Sequence, residues 1–233
     1  MPIMEADMED KLLIGDTSAH NLDEESMKKL FHAGNVKKFQ EIMMMYRCAI
    51  KEVQTKLENL NDELSTKRQR NPINTIKSRI KTPQSIYEKI QRKGMEMNMD
   101  TLLNDMHDIA GIRVVCSFID DIYAIANMLT LQDDITLIKI KDYIKEPKDN
   151  GYRSLHLVVE IPVFLSDRKQ MMKVEVQIRT IAMDFWASLE HQIHYKKMDS
   201  APITIIEDLK KCADNIYETD IEMQGIRKRL LGN

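Results

Sequence analysis

Apolar residues recur along this chain in two distinct periods. Val36, Phe39, Met43, Tyr46, Ile50, Val53, Leu57, Leu60 and Leu64 follow a 3-4 spacing, which places them on one stripe of a helix of about eight turns. Pro72 and the polar residues before it close that segment. The middle of the chain changes to period two. Ile112, Val114 and Cys116 alternate with Arg113, Val115 and Ser117; Leu155, Leu157, Val159 and Ile161 with Ser154, His156, Val158 and Glu160; Val174, Val176 and Ile178 with Glu175, Gln177 and Arg179. These segments read as half-buried strands. A fourth strand is expected over Ile135 to Ile140, and a helix over Asp120 to Leu131. After Pro202 the 3-4 spacing returns at Ile205, Leu209, Cys212, Ile216, Thr219, Met223, Ile226 and Leu230. The regularity of the two terminal stripes favours contact with other helices, within the chain or between chains.

The fold class that follows is α/β (α+β), a mixed β-sheet flanked by helices, with long N- and C-terminal amphipathic helices. The expected organisation is an acidic, poorly ordered N-terminus over residues 1–30, a helix over 31–66, a core over 67–197, and a helical segment for packing or oligomerisation over 198–233. The 233 residues, 43% hydrophobic and 30% charged, suit one compact domain with terminal additions. The sequence contains neither an apolar run of the ~20 residues a membrane helix needs nor the layout of a signal peptide. Cys48, Cys116 and Cys212 are odd in number and far apart, a pattern of buried thiols in a reducing cytoplasm.

Charge changes the picture through its distribution. The formal net charge of −3 gives no general attraction to nucleic acid or anionic membrane. Locally, Lys67 to Lys93 holds nine bases and one acid, Glu88, whereas residues 1–30 hold eight acids and three bases. The basic stretch includes Ser78-Arg79-Ile80-Lys81-Thr82-Pro83-Gln84-Ser85-Ile86-Tyr87-Glu88-Lys89. Pro83 suits the first turn of a helix with Thr82 as its N-cap, so Ser85 and Lys89 share a face. Arg79 and Lys81 point together from an extended lead-in. These four side chains could surround a triphosphate, and the planar guanidinium of Arg79 could also stack on a base. No glycine-rich phosphate loop is present, so side chains would grip the phosphates.

Strand alternation places Arg113, His156, Glu175, Gln177 and Arg179 on the polar side of their strands. Asp108 directly precedes one strand and Glu175 lies within another; such a pair could hold Mg²⁺, with water and phosphate completing the shell. Metal beside a surplus of cations is the equipment of phosphoryl or pyrophosphoryl transfer. The segment Tyr143 to His156 makes a turn at Pro147, Asp149, Asn150 and Gly151. Tyr152 could then offer a flat ring to a nucleobase, with Lys148 and His156 near the phosphates of the same nucleotide.

Five motifs in order carry a family resemblance: Arg79-Ile-Lys-x-x-x-Ser-Ile-x-x-Lys89, Asp108-Ile-Ala-Gly-Ile-Arg113, Asn150-Gly-Tyr-Arg-Ser-Leu-His156, Val174-Glu-Val-Gln-Ile-Arg-Thr180, and Ala182-Met-Asp-Phe-Trp-Ala-Ser-Leu-Glu-His191. Over about residues 67–197 the chain resembles the RelA/SpoT synthetase domain and, lacking a hydrolase motif, a stand-alone small alarmone synthetase. The resemblance implies a nucleotidyltransferase-like fold and transfer of the β,γ-pyrophosphate of ATP to the 3′-hydroxyl of GDP or GTP, giving ppGpp or pppGpp in the stringent response. It implies that Arg79, Lys81, Ser85 and Lys89 bind ATP phosphates and that Arg79 and Arg113 enclose adenine. Asp108 and Glu175 would hold Mg²⁺, with Glu175 also activating the 3′-hydroxyl. Tyr152 would stack on guanine, while Lys148, Asn150 and His156 contact the guanosine nucleotide. Such proteins assemble as homotetramers, and some answer to an alarmone or RNA as regulator.

Two other functions compete with this one. A toxin-type relative would pyrophosphorylate tRNA 3′ ends and need a basic track beyond the ATP site; the acidic N-terminus and net charge oppose it. A catalytically silent nucleotide- or RNA-binding module would have no chemical need for both Asp108 and Glu175.

Overall fold

The computed structural model describes residues 36–68, 70–96, 98–197 and 203–231. The expectation for residues 1–30, and the start of the helix expected from residue 31, lie outside the described residues. Helix α1 (Val36–Arg68) leads into β1 (Ile73–Ile80), α2 (Pro83–Arg92), a short π-helical turn (Thr101–Asp105), β2 (Ala110–Cys116), α3 (Ile119–Thr130), β3 (Thr136–Asp142), β4 (Leu155–Phe164), β5 (Lys169–Thr180), α4 (Ile181–Lys197) and α5 (Ile203–Leu231). The five strands form one sheet in the order β1-β2-β5-β4-β3. β2 and β5 run parallel and every other pair is antiparallel. This is the mixed sheet with flanking helices that the two periodicities require.

Register divides the sheet into two faces. Ile112 pairs with Val176 and Val114 with Ile178; Val176 and Val174 pair with Leu157 and Val159. These apolar positions share the face that α1 covers. The α1 stripe Phe39, Met43, Tyr46, Ile50, Val53 and Leu57 is buried there, each side chain contributing ~1.5–3 kcal/mol of burial free energy. Of the packings open to this helix, on the sheet or on other helices, the sheet is the main one, and α1 also meets the Ile119–Thr130 helix. Ile122, Ile125, Ala126 and Leu129 of α3 complete the core, with Asp120 and Asp121 in its first turn, where carboxylates suit the helix dipole.

Three further expectations are corrected. β1 is a fifth strand that periodicity did not indicate. β2 is buried along its whole length, not half-buried, because β1 and β5 flank it and the side chains of its neighbours and α4 cover its polar face. The C-terminal stripe does not pack as expected. Ile205, Cys212, Met223, Ile226 and Leu230 are exposed, and α5 buries an adjacent face through Ala213 and Asp220. Polar contacts pin that face: Thr180 Oγ1 donates to Asp220 (2.5 Å), the Asp120 amide to Gln224 Oε1 (2.9 Å), and Arg227 to Asp120 (2.8 Å). Burial holds the Asp220 carboxyl above its ordinary pKa, with the Thr180 bond opposing. Cys116 is buried, Cys48 half-buried and Cys212 exposed, so the expectation of buried thiols holds fully for Cys116 alone. Among the described residues, no helix is long and apolar enough to cross a membrane.

Candidate active site

The second face of the sheet carries the chemistry. Lys77 pairs with Arg113 and Arg79 with Gly111; Gly111 pairs with Glu175 and Arg113 with Gln177; Gln177 pairs with His156 and Glu175 with Val158; His156 pairs with Lys141 and Val158 with Lys139. The strands bring Arg79, Arg113, Glu175, Gln177 and His156 onto one surface, as alternation requires once they are neighbours. The Arg79 side chain lies across β2 at Gly111, where a Cβ would meet its Cγ and Nε at 3.5 Å, an ordinary van der Waals contact.

A cavity of about 110 Å³ opens on this face, lined by Lys89, Lys93, Asp105, His107, Asp108, Lys139, Lys141, His156 and Glu175. Lysines outnumber carboxylates around it, so it suits a polyanion. Lys93, Lys139 and Lys141 were absent from the sequence-derived set. The two on β3 could have been found from the strand alternation that selected His156.

Asp108 sits two residues before β2 and is only 6% exposed. Its Oδ2 pairs with Lys81 and, at 2.6 Å, with Lys89. Helix α2 delivers Lys89: Thr82 caps it by accepting the Ser85 amide hydrogen (3.2 Å), and Pro83 fills its first turn. Lys81 extends β1 by donating its amide to Ile109 O (2.8 Å). Burial alone would raise the Asp108 pKa, but the two ammonium groups outweigh it and hold the carboxyl at about 2. Burial draws the Lys81 ammonium below its ordinary value, with Asp108 opposing. Asp108 Oδ1 is buried without a hydrogen-bond partner. Such an orphaned carboxylate oxygen, in one cavity with the Glu175 carboxylate, fits a hard divalent cation. Among the described residues no group of three or more His, Cys, Asp or Glu could hold a metal, and Mg²⁺ accepts a site with only one or two protein carboxylates.

Glu175 joins a polar circuit of side chains. Gln177 Nε2 donates to Glu175 Oε2 (3.0 Å), Arg179 donates to Gln177 Oε1 (3.1 Å) and to Tyr152 Oη, and Tyr152 meets His156 Nε2 at 2.9 Å. Arginine only donates, so the Tyr152 hydroxyl oxygen accepts from Arg179. On the other side of the ring His156 Nδ1 faces Glu175 Oε1 at 3.7 Å. Arg179 is 0% exposed, with Asp184 at 3.5 Å as counter-ion; Asp184 also pairs with Arg113 at 3.1 Å. Strand alternation puts Arg179 on the polar face without pointing to a role for it, and Asp184, on α4, carries no periodic signal.

Lys148, Asn150 and Tyr152 lie on the loop between β3 and β4. Tyr152 is 1% exposed. Lys148 Nζ and the Arg179 guanidinium each lie 4.9 Å from its ring centre, and Tyr143 packs edge-on at 6.0 Å. The expected flat, open platform is therefore closed. Asn150 accepts the Tyr152 amide hydrogen (3.1 Å) and donates to Glu190 (3.3 Å), so its side chain organises the loop. Ser85 stands beside the Thr82 cap (3.0 Å between hydroxyls) at the start of α2.

Known proteins resemble this chain in sequence and in fold. The family described as "Region found in RelA / SpoT proteins" matches residues 78–200. The chain is 45% identical to the GTP pyrophosphokinase YwaC of Bacillus subtilis over 188 residues, covering 81% of this chain and 90% of that protein. The solved structure of small alarmone synthetase 2 from Bacillus subtilis superposes with a TM-score of 0.73 at 45% identity, covering 80% of this chain and 97% of that one. Small alarmone synthetase 1 of the same organism, bound to its product pppGpp, gives 0.75 at 35% identity and coverages of 83% and 98%; its AMPCPP-bound structure gives 0.71 at 32%, with coverages of 84% and 100%. With this match and this identity over most of its length, the chain belongs to the RelA/SpoT family and has the fold of the small alarmone synthetases.

Proposed function

We propose that this protein is a GTP pyrophosphokinase that moves the β,γ-pyrophosphate of ATP to the 3′-hydroxyl of GDP or GTP, producing ppGpp or pppGpp and AMP. The observation that carries this reading is the single sheet face on which Asp108 and Glu175 share a lysine-rich cavity while a polar circuit joins Glu175 to Tyr152. Relatives solved with pppGpp and with AMPCPP support an acceptor and a donor of these classes.

Arg79, Lys81, Ser85 and Lys89 take the ATP phosphates, and Arg79 and Arg113 hold adenine. Lys81 and Lys89 exchange the Asp108 carboxylate for phosphate oxygens. Asp108 and Glu175 are the residues that would hold Mg²⁺, which supplies positive charge to the non-bridging oxygens as the α–β bond breaks. Glu175 accepts the 3′-hydroxyl proton as that oxygen bonds to the β-phosphorus. His156 Nδ1 faces the Glu175 carboxylate at 3.7 Å. For Tyr152 to stack on guanine, Lys148 leaves the ring and turns to the acceptor's phosphates; Asn150 holds the loop in place. With γ-labelled ATP, Mg²⁺ and separate GDP, GTP, GMP or tRNA acceptors, label is expected on the guanosine nucleotides. Label on tRNA alone would refute this reading.

Tyr152→Ala removes the ring and the hydroxyl between Arg179 and His156. Its expected effect is chiefly on KM for the guanosine nucleotide, about ten- to a hundredfold from the loss of one stacking contact, with KM for ATP little changed. Steady-state kinetics with each substrate varied in turn checks this.

The same reading includes a homotetramer. Ile181, Phe185, Leu189 and Ile193 recur every fourth residue on α4 and are exposed, as are Met223, Ile226 and Leu230 on α5. An isolated chain leaves these stripes in water, and self-association would cover them. Leu189→Glu is expected to yield smaller species in sedimentation velocity; an unchanged distribution would place the interface elsewhere.

A further inference from the structure

We infer that Arg153 and Asp214 are positioning residues, through which helix α5 sets the geometry of the loop that carries Tyr152. This rests on the proposed acceptor site and extends it to a helix that contributes no residue to the polar face.

The packed face of α5 meets the loop at consecutive turns. Gly151 has a φ of +90°, a conformation that favours glycine. A Cβ there would lie 2.6 Å from the Ala213 Cβ and 3.1 Å from the Lys210 Cα, so the turn lies directly against the backbone of α5. Two residues on, the Arg153 guanidinium is a three-way junction. Nη1 donates to Ile144 O (3.1 Å), Nη2 donates to Asp214 Oδ1 (2.9 Å), and the group lies 4.1 Å from the centre of the Tyr217 ring. One side chain thereby ties the start of the loop, its end and the helix together. Tyr152, between Gly151 and Arg153, packs in a small cluster with Trp186, Ala187 and Ala213, and Trp186 Nε1 fixes α4 to Leu209 O of α5 at 3.0 Å. A shift of α5 therefore cannot leave the Tyr152 ring where it is.

The second anchor of α5 separates positioning from mere docking. Arg227, four turns further along, holds Asp120 (2.8 Å) and packs on Phe118 (4.4 Å), away from the loop. Asp214→Ala is expected to raise KM for the guanosine nucleotide about five- to tenfold, as for loss of one charge-assisted hydrogen bond, with KM for ATP unchanged. Hydrogen exchange of amides 143–154 is expected to quicken without substrate present, a readout independent of turnover. Arg227→Ala is expected to lower Tm by at least as much but to leave both the acceptor KM and the exchange of that loop at wild-type values. Equal acceptor effects in the two variants, or no change in loop exchange in Asp214→Ala, would overturn the inference. An inactive wild-type protein would instead refute the proposed function, and the exchange experiment would still judge the link between α5 and the loop.

Discussion

Glu175→Gln is expected to lower kcat/KM for pyrophosphate transfer by about a thousandfold or more, in the range of a lost general base and a lost metal ligand, while the protein stays folded. Glu175 lies mid-strand on β5, opposite Gly111 and Val158, so substitution by the isosteric amide leaves the sheet unaltered. What changes is charge. The amide cannot take a proton from the 3′-hydroxyl, is a poor partner for a hard cation, and sets its own NH₂ beside the donor Gln177 Nε2. Initial rates of label transfer should collapse while an ATP analogue still binds. A variant with near-normal kcat would show that proton removal and metal binding lie elsewhere.

The polar face was legible because three of its strands, β2, β4 and β5, alternate cleanly and lie side by side, β5 pairing with both of the others. Arg113, His156, Glu175 and Gln177 had to converge once the strands were neighbours. β1 was not legible. Its apolar residues Ile73, Ile76 and Ile80 are spaced 3 and 4 apart, as on a helix, and most of the rest of this edge strand is exposed. Apolar spacing likewise misplaced α5. Its packed face is held partly by Asp220, Gln224 and Arg227, whose partners Thr180 and Asp120 lie far away in sequence. Tyr152 was identified but not its cover, since Lys148 and Arg179 reach its ring only after the β3–β4 loop folds over β5. Hydrophobic period reports which side of an element is covered by apolar neighbours; it carries no signal for a face secured by distant polar pairs.

Asp108→Asn should fail in two separable ways, in chemistry and in stability. The carboxylate is shared by the two nearly buried ammonium groups of Lys81 and Lys89. A neutral amide removes the charged group that both contact, and removing one partner from a buried charge cluster costs about 3–5 kcal/mol. A clear fall in Tm is therefore expected along with loss of Mg²⁺-dependent transfer. The acid limb of stability supplies an independent check. The folded Asp108 pKa of about 2 lies below its ordinary 3.8, so its stabilisation is complete above about pH 4 and is lost as pH falls towards 2. The shift corresponds to about 2 kcal/mol. Wild type should lose this increment across that window, and Asp108→Asn should lack it. With metal chelated, the variant should bind an ATP analogue at least as tightly as wild type, because its lysines no longer have to leave a carboxylate to meet phosphate. If Asp108→Asn instead melts with wild-type Tm and binds the metal-free analogue more weakly, these lysines are not held in reserve by Asp108, and the exchange from carboxylate to phosphate is not how the donor site works.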